Sequence, residues 1–157
     1  MHMLRKCTFF SLLISGLLFA NQDAAFSGYT AIQKALANDQ YAKARNEATH
    51  LIQVIEEWQK TALAVESPQG QAMALSLSGL KTLETSTGAD LQRKSFSKVS
   101  EGFVRYIRLE STLQPKFQLF FCPMVTYYGY WVQPKGEQIA NPYMGQAMPT
   151  CGSKRPW

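Results

Sequence analysis

The sequence predicts a mainly α domain: an antiparallel four-helix bundle carrying a short β-hairpin and an irregular, cysteine- and methionine-containing segment at its C-terminal end. Three observations predict it. Apolar residues recur at helical spacing in four successive stretches between Phe26 and Leu113. Short breaks with capping or turn residues separate those stretches, which favours antiparallel neighbours. Beyond Pro115 the helical period gives way to aromatic runs punctuated by proline and glycine.

The first twenty residues are set apart from this pattern. Arg5 and Lys6 form a basic start, Thr8 to Ala20 is apolar and uncharged, and Ala20 offers a small residue before a cut. Residues 1–20 therefore read as a signal peptide, too short for a membrane span. Residues 21–157 are expected as a single helical domain, periplasmic or secreted, with no stable membrane span after cleavage. Cys7 leaves with the signal.

In the first helix, expected from Phe26 to about Ala37 with Ser27 as cap, Phe26, Tyr29, Ile32, Ala35 and Leu36 form the buried stripe. Asn38-Asp39 breaks the chain. Ala44, Ala48, Leu51, Ile52, Ile55, Trp58 and Ala62 then carry a long second helix to about Val65. Ser67-Pro68-Gln69-Gly70 is a turn that starts the third, because proline suits a first helical position. Met73, Leu77, Leu80 and Leu83 are its stripe, and Ser86-Thr87-Gly88 ends it.

The fourth helix is expected from about Asp90 to Leu113, with Leu91, Phe96, Val99, Phe103, Ile107 and Leu109 buried, and Pro115 cannot continue it. Phe117 to Phe121 reads as extended, and Tyr127 to Val132 as a hairpin or paired strand. The sulfur-rich segment spans about 117–157, turn-rich after Lys135.

Charge excludes one class of partner. Of 16 basic side chains the signal removes two, leaving 14 against 11 acidic ones, a net +3. Basic and acidic residues alternate along the helices (Lys34, Asp39, Lys43, Arg45, Glu47), the pattern of a solvated face. No nucleic-acid footprint results.

An enzyme is not expected either. Glu56, Glu57, Asp90 and Glu101 are scattered, and no nucleophile elbow, phosphate loop or paired-histidine zinc motif occurs. His50, on the second helix, reads as a surface or packing residue.

Sulfur is the unusual feature. Cys122-Pro123-Met124 and Met148-Pro149-Thr150-Cys151 place both remaining cysteines beside methionines. Proline drives the preceding residue toward extended geometry, and residues two apart in an extended chain point the same way. Cys122 and Met124 would thus form one two-sulfur claw. A tight turn through Thr150 would bring Cys151 back beside Met148 as a second.

Four such donors select Cu(I), and related soft cations such as Ag(I), over hard ions. Trp131 and the nearby tyrosines would screen the site from water, and Met144 would be a fifth donor or a packing residue. The alternative is a disulfide between Cys122 and Cys151, which would close a loop of about thirty residues and stabilise by roughly 3 to 4 kcal/mol in a chain-entropy model. Met124 and Met148 would then be core filler. Both readings stay open.

The string Cys122-Pro123-Met124, Tyr130-Trp131-Val132, Ile139-Ala140-Asn141-Pro142-Tyr143-Met144-Gly145 and Met148-Pro149-Thr150-Cys151-Gly152 resembles the signature of a bacterial envelope family of unknown function. Its members occur alone and fused to the periplasmic adaptor subunits of CusB-type copper and silver efflux pumps. The resemblance is specific in the C-terminal third and loose elsewhere. It departs at Ala140, where a basic residue is common, and at Met144, where an aromatic is usual.

The resemblance implies heavy-metal handling at Cys122, Met124, Met148 and Cys151, with Trp131, Asn141 and Tyr143 around them. The expected function is a copper-binding module that buffers Cu(I) or delivers it to an efflux adaptor or other envelope protein. The alternative is a disulfide-stapled, non-enzymatic structural or interaction domain of the envelope.

Overall fold

The computed structural model describes the backbone of residues 7–157 and the side chains of residues 20–157. The basic start of the expected signal, Arg5 and Lys6, lies outside the described residues. Four long helices precede a small sheet: α1 (Cys7–Ala37), α2 (Tyr41–Thr61), α3 (Pro68–Thr85) and α4 (Ala89–Leu109). A 3-10 turn (Ser111–Lys116) leads into β1 (Phe117–Phe121), β2 (Tyr130–Pro134) and β3 (Ser153–Arg155). Among the described residues no helix is long and apolar enough to cross a membrane.

Side-chain contacts show that neighbouring helices run antiparallel. Gln22 reaches the Tyr106 hydroxyl while Tyr29 meets Ser100 at 2.7 Å, so α1 and α4 run in opposite directions. Thr49 bonds Glu84 and Gln59 reaches the Gly70 carbonyl, which orders α2 against α3. The expected stripes of the first three helices are buried, from Phe26 to Leu36, Ala44 to Trp58, and Met73 to Leu83.

Three helix boundaries differ from the sequence expectation, one of them the end of α4, which stops at Leu109 and leaves Leu113 in the 3-10 turn. Helix α1 begins by Cys7 rather than at Phe26, so Ser27 lies inside the helix and caps nothing. Helix α2 stops at Thr61, and Val65 is exposed. Leu91 and Leu109, expected in the α4 stripe, are 49% and 46% exposed: Leu91 lies beside the buried face, which the fully buried Gln92 occupies in that turn, and Leu109 is the last residue of the helix. Ser67 does cap α3: its side chain accepts from the Gly70 N–H at 3.0 Å, and Pro68 takes the first turn.

Helices α3 and α4 meet through small residues. A side-chain carbon on Gly79 would lie 2.8 Å from the Ser95 carbonyl oxygen, and one on Gly102 would overlap Ser76 Oγ and the Ala72 carbonyl. Ser76 uses that proximity to donate to the Val99 carbonyl at 2.9 Å.

The sheet has order β2-β1-β3, all antiparallel, with Phe121 opposite Tyr130 on one side and Ser153 on the other. Strand side chains alternate between faces. Phe117, Leu119 and Phe121 share the face that meets the bundle, where the Phe117 ring lies 4.8 Å from Phe26 of α1. Phe120, Cys122, Trp131 and Gln133 share the other face, which the returning chain covers. Gln133 accepts from the Ala140 N–H and donates to the Gln138 carbonyl, and the Tyr143 ring stands edge-on to Trp131 at 5.9 Å. With both faces covered, these strands are continuous apolar and aromatic runs rather than alternating ones.

The outer edge of β2 is partly closed by side chains. Cys122 N–H donates to the Gly129 carbonyl and Lys135 N–H to that of Lys116, a register that turns the backbone of Tyr130, Val132 and Pro134 away from β1. Val132 N–H donates to the Tyr29 hydroxyl at 3.1 Å, and the Tyr143 hydroxyl donates to the Tyr130 carbonyl at 2.6 Å. Pro134 has no N–H to satisfy.

Candidate functional site

The sulfur site forms where the β1 and β3 ends meet. One step beyond the last pair, Phe121↔Ser153, the same register sets Cys122 opposite Gly152. Cys151 therefore arrives beside Cys122. Both are free thiols; Cys122 is fully buried and Cys151 partly exposed. Partial burial, then the adjoining Cys122 through its charge and a thiol hydrogen bond, push the Cys151 thiol above its ordinary value of 9.0.

Each thiol is held by different backbone. Cys122 extends the β1–β2 ladder by its 2.9 Å bond to Gly129. Gly129 must lack a side chain there, because a carbon on it would lie 2.5 Å from the Cys122 carbonyl oxygen. Cys151 closes a turn, its N–H donating to the Met148 carbonyl at 3.1 Å, so the expected tight turn through Thr150 is formed. Gly152 follows with φ of +136°, and a carbon on it would lie 2.6 Å from the Trp131 ring. That conformation and that contact both demand glycine.

Asn141 fixes the turn from behind. It is fully buried, and its Nδ2 donates to the Cys151 carbonyl at 2.6 Å while its own N–H donates to Pro149 at 2.8 Å. Its Oδ1 accepts from the N–H groups of Tyr143 and Met144 at 2.8 and 3.2 Å. Trp131, also fully buried, stacks on Phe120 at 5.3 Å and donates through Nε1 to Gln133 at 3.0 Å. Trp131, Asn141 and Tyr143 thus form one packed wall behind the thiols.

The methionines sit differently. Met148 is partly buried, one turn before Cys151, whereas Met124 is 59% exposed. Pro123 and Met124 form a turn instead of the extended geometry expected, and open the loop that returns to Gly129 ahead of β2. Cys122 consequently points into the fold and Met124 lies at the surface. Met144 is partly buried against the core, and His50 is exposed on α2. Among the described residues no three His, Cys, Asp or Glu side chains converge.

A second polar cluster was not visible in the sequence. Asp39, with φ of +56° between α1 and α2, accepts from Arg93 of α4, from the Tyr41 hydroxyl and from the Gln146 N–H. Gly145 leaves room for this contact, since a side-chain carbon on it would overlap both charged groups. The Arg93 guanidinium also lies 5.5 Å from the Tyr41 ring. The cluster ties the chain just before Met148 to the bundle. An aspartate beside Asn38 reads from sequence only as a helix break.

A family model described as a protein of unknown function, DUF3347, matches residues 25–114. The match runs from the middle of α1 to the 3-10 turn and leaves the sulfur segment outside it. No curated protein matches this chain, and no solved structure does.

Proposed function

The chain belongs to the DUF3347 family of proteins of unknown function, and from the segment that follows the shared helices we propose a soft-cation binding module of the cell envelope. Cys122 and Cys151 are its anionic donors, Met148 a thioether from the same turn as Cys151, and Met124 a surface thioether. The cation is Cu(I), or Ag(I) by the same chemistry. The observation that carries this reading is the adjacency of a buried and a half-exposed thiol on two separately held backbones.

The donor set fits such an ion. Soft d10 cations accept low coordination by sulfur, and thioethers keep their donor pair at any pH while thiols must first lose a proton. Trp131, Asn141 and Tyr143 hold the thiol-bearing strands in place. In the cell the module buffers the cation or delivers it to an efflux adaptor; export by residues 1–20 is part of the proposal.

Anaerobic Cu(I) titration of the reduced protein tests it. We expect one Cu(I) per chain, lost in Cys122→Ser and Cys151→Ser and weakened in Met148→Leu more than in Met124→Leu. A folded, fully reduced protein that takes up no Cu(I) overturns the reading. The same adjacency favours a second one, in which Cys122 and Cys151 are bridged and the segment is a stapled docking surface. An exported protein two hydrogens light, with no Cu(I) uptake after reduction, establishes that instead.

A further inference from the structure

We infer that Cys122 and Cys151 are an ordered thiol–disulfide exchange pair, entered at Cys151 and closed by Cys122. Two observations carry this. The thiols adjoin, with neither bonded covalently to any other cysteine. They also differ in access: Cys122 is fully buried on the covered face of the sheet, while Cys151 is partly exposed in a turn whose neighbours Pro149 and Thr150 are in solvent. A dissolved disulfide reaches one sulfur of the pair and not the other.

The oxidant is a small disulfide such as oxidised glutathione. The Cys151 thiol loses its proton to water, and its sulfur attacks one sulfur of the oxidant, breaking that S–S bond and releasing one glutathione thiolate. Cys122, deprotonated in turn, attacks the Cys151 sulfur of the mixed disulfide and expels the second glutathione thiolate. The protein loses two electrons and two protons; the oxidant becomes two thiols. Attack at the glutathione sulfur by the buried Cys122 is sterically closed, so the order is fixed.

Resting on the proposed function, one consequence follows for metal: the oxidised pair has no thiolate left, and soft-cation capture belongs to the reduced protein alone. The fold would then couple envelope redox state to cation binding through the Cys122–Cys151 bond.

Metal-free, reduced, full-length protein treated with oxidised glutathione tests the order, read by intact mass and peptide mapping. Cys122→Ser should hold one glutathione on Cys151, Cys151→Ser should take up none over the same period, and the unmutated chain should become two hydrogens lighter without retained glutathione. Limited iodoacetamide labelling of the unmutated reduced protein provides a readout free of folding artefacts, with Cys151 modified roughly tenfold or more faster than Cys122. Equal or reversed labelling rates, or a mixed disulfide that persists in the unmutated chain, overturn the inference. Ordered exchange without Cu(I) uptake by the reduced form leaves the exchange pair standing and removes the metal reading; Cu(I) uptake without ordered exchange does the reverse.

Discussion

The side-chain amide of Asn141 donates to the main-chain carbonyl of Cys151 over 2.6 Å, from a position with no solvent exposure. It is the only side-chain partner of that carbonyl among the described residues, and the same amide oxygen caps the turn through Tyr143 and Met144. Asn141→Ala removes three bonds and leaves buried groups unpartnered, each a loss of about 1 to 3 kcal/mol. We expect a lower urea midpoint and faster iodoacetamide labelling of Cys151; an unchanged midpoint would show that water replaces the amide.

Tyr29 joins bundle and sheet. Its hydroxyl pairs with Ser100 at 2.7 Å and accepts from Val132 N–H at 3.1 Å. Tyr29→Phe keeps the ring contacts with Phe96 and Phe103 but strands that N–H. The expected cost is about 1 to 3 kcal/mol, measured by thermal unfolding. Amide exchange should accelerate at Val132.

Gly102→Ala tests the close crossing of α3 and α4. Alanine favours a helix over glycine by about 1 kcal/mol, yet here its methyl would overlap Ser76 Oγ and the Ala72 carbonyl. Overpacking should prevail, with a net loss of roughly 1 to 2 kcal/mol. A stabilised variant would mean that the two helices part freely.

Burial raises several tyrosines. Tyr106 and Tyr128 are pushed up from 10.0 to about 12, and Tyr29 and Tyr143 also lie above their ordinary value, in each case chiefly through loss of hydration. The unfolded chain releases these protons near 10 and the folded one later. Stability from this source is therefore intact below pH 10 and falls as pH climbs toward 12. Denaturation midpoints at pH 8 and pH 11 should differ, and Tyr106→Phe should reduce the difference.

Helical stripes were legible because each apolar residue in them answers to its own helix and a near neighbour: Ile32, Leu51, Leu80 and Phe103 sit where their spacing puts them. Leu91 and Leu109 misled because an apolar side chain five residues from Phe96 is off the helical phase that the polar Gln92 fills, and because the pattern does not mark the helix end at Leu109. Strand β3 was illegible, since Ser153-Lys154-Arg155 is exposed throughout and pairs only by backbone. At the site, the turn before Cys151 was readable from Pro149 and Thr150, whereas Asn141 and Tyr143 entered only through the family resemblance, and their bonds to the Cys151 and Tyr130 carbonyls link residues that sequence spacing does not join. The divergence of Cys122 from Met124 was not readable, because proline restrains the residue before it and not the loop after it. Nor were the crossings at Gly79 and Gly102, or the Asp39–Arg93 link: each requires two distant residues to be seen together.

The two tyrosine hydroxyls and the proline along β2 bear on how this molecule behaves when crowded. A sheet margin with unspent donors and acceptors invites a strand from another molecule and is the usual seed of fibrous assembly. Here one margin is engaged from within at the Val132 N–H and the Tyr130 carbonyl, and the other is three residues long, bearing Lys154 and Arg155. Concentrated solutions should stay free of intermolecular β-structure for as long as Tyr29 and Tyr143 remain in place.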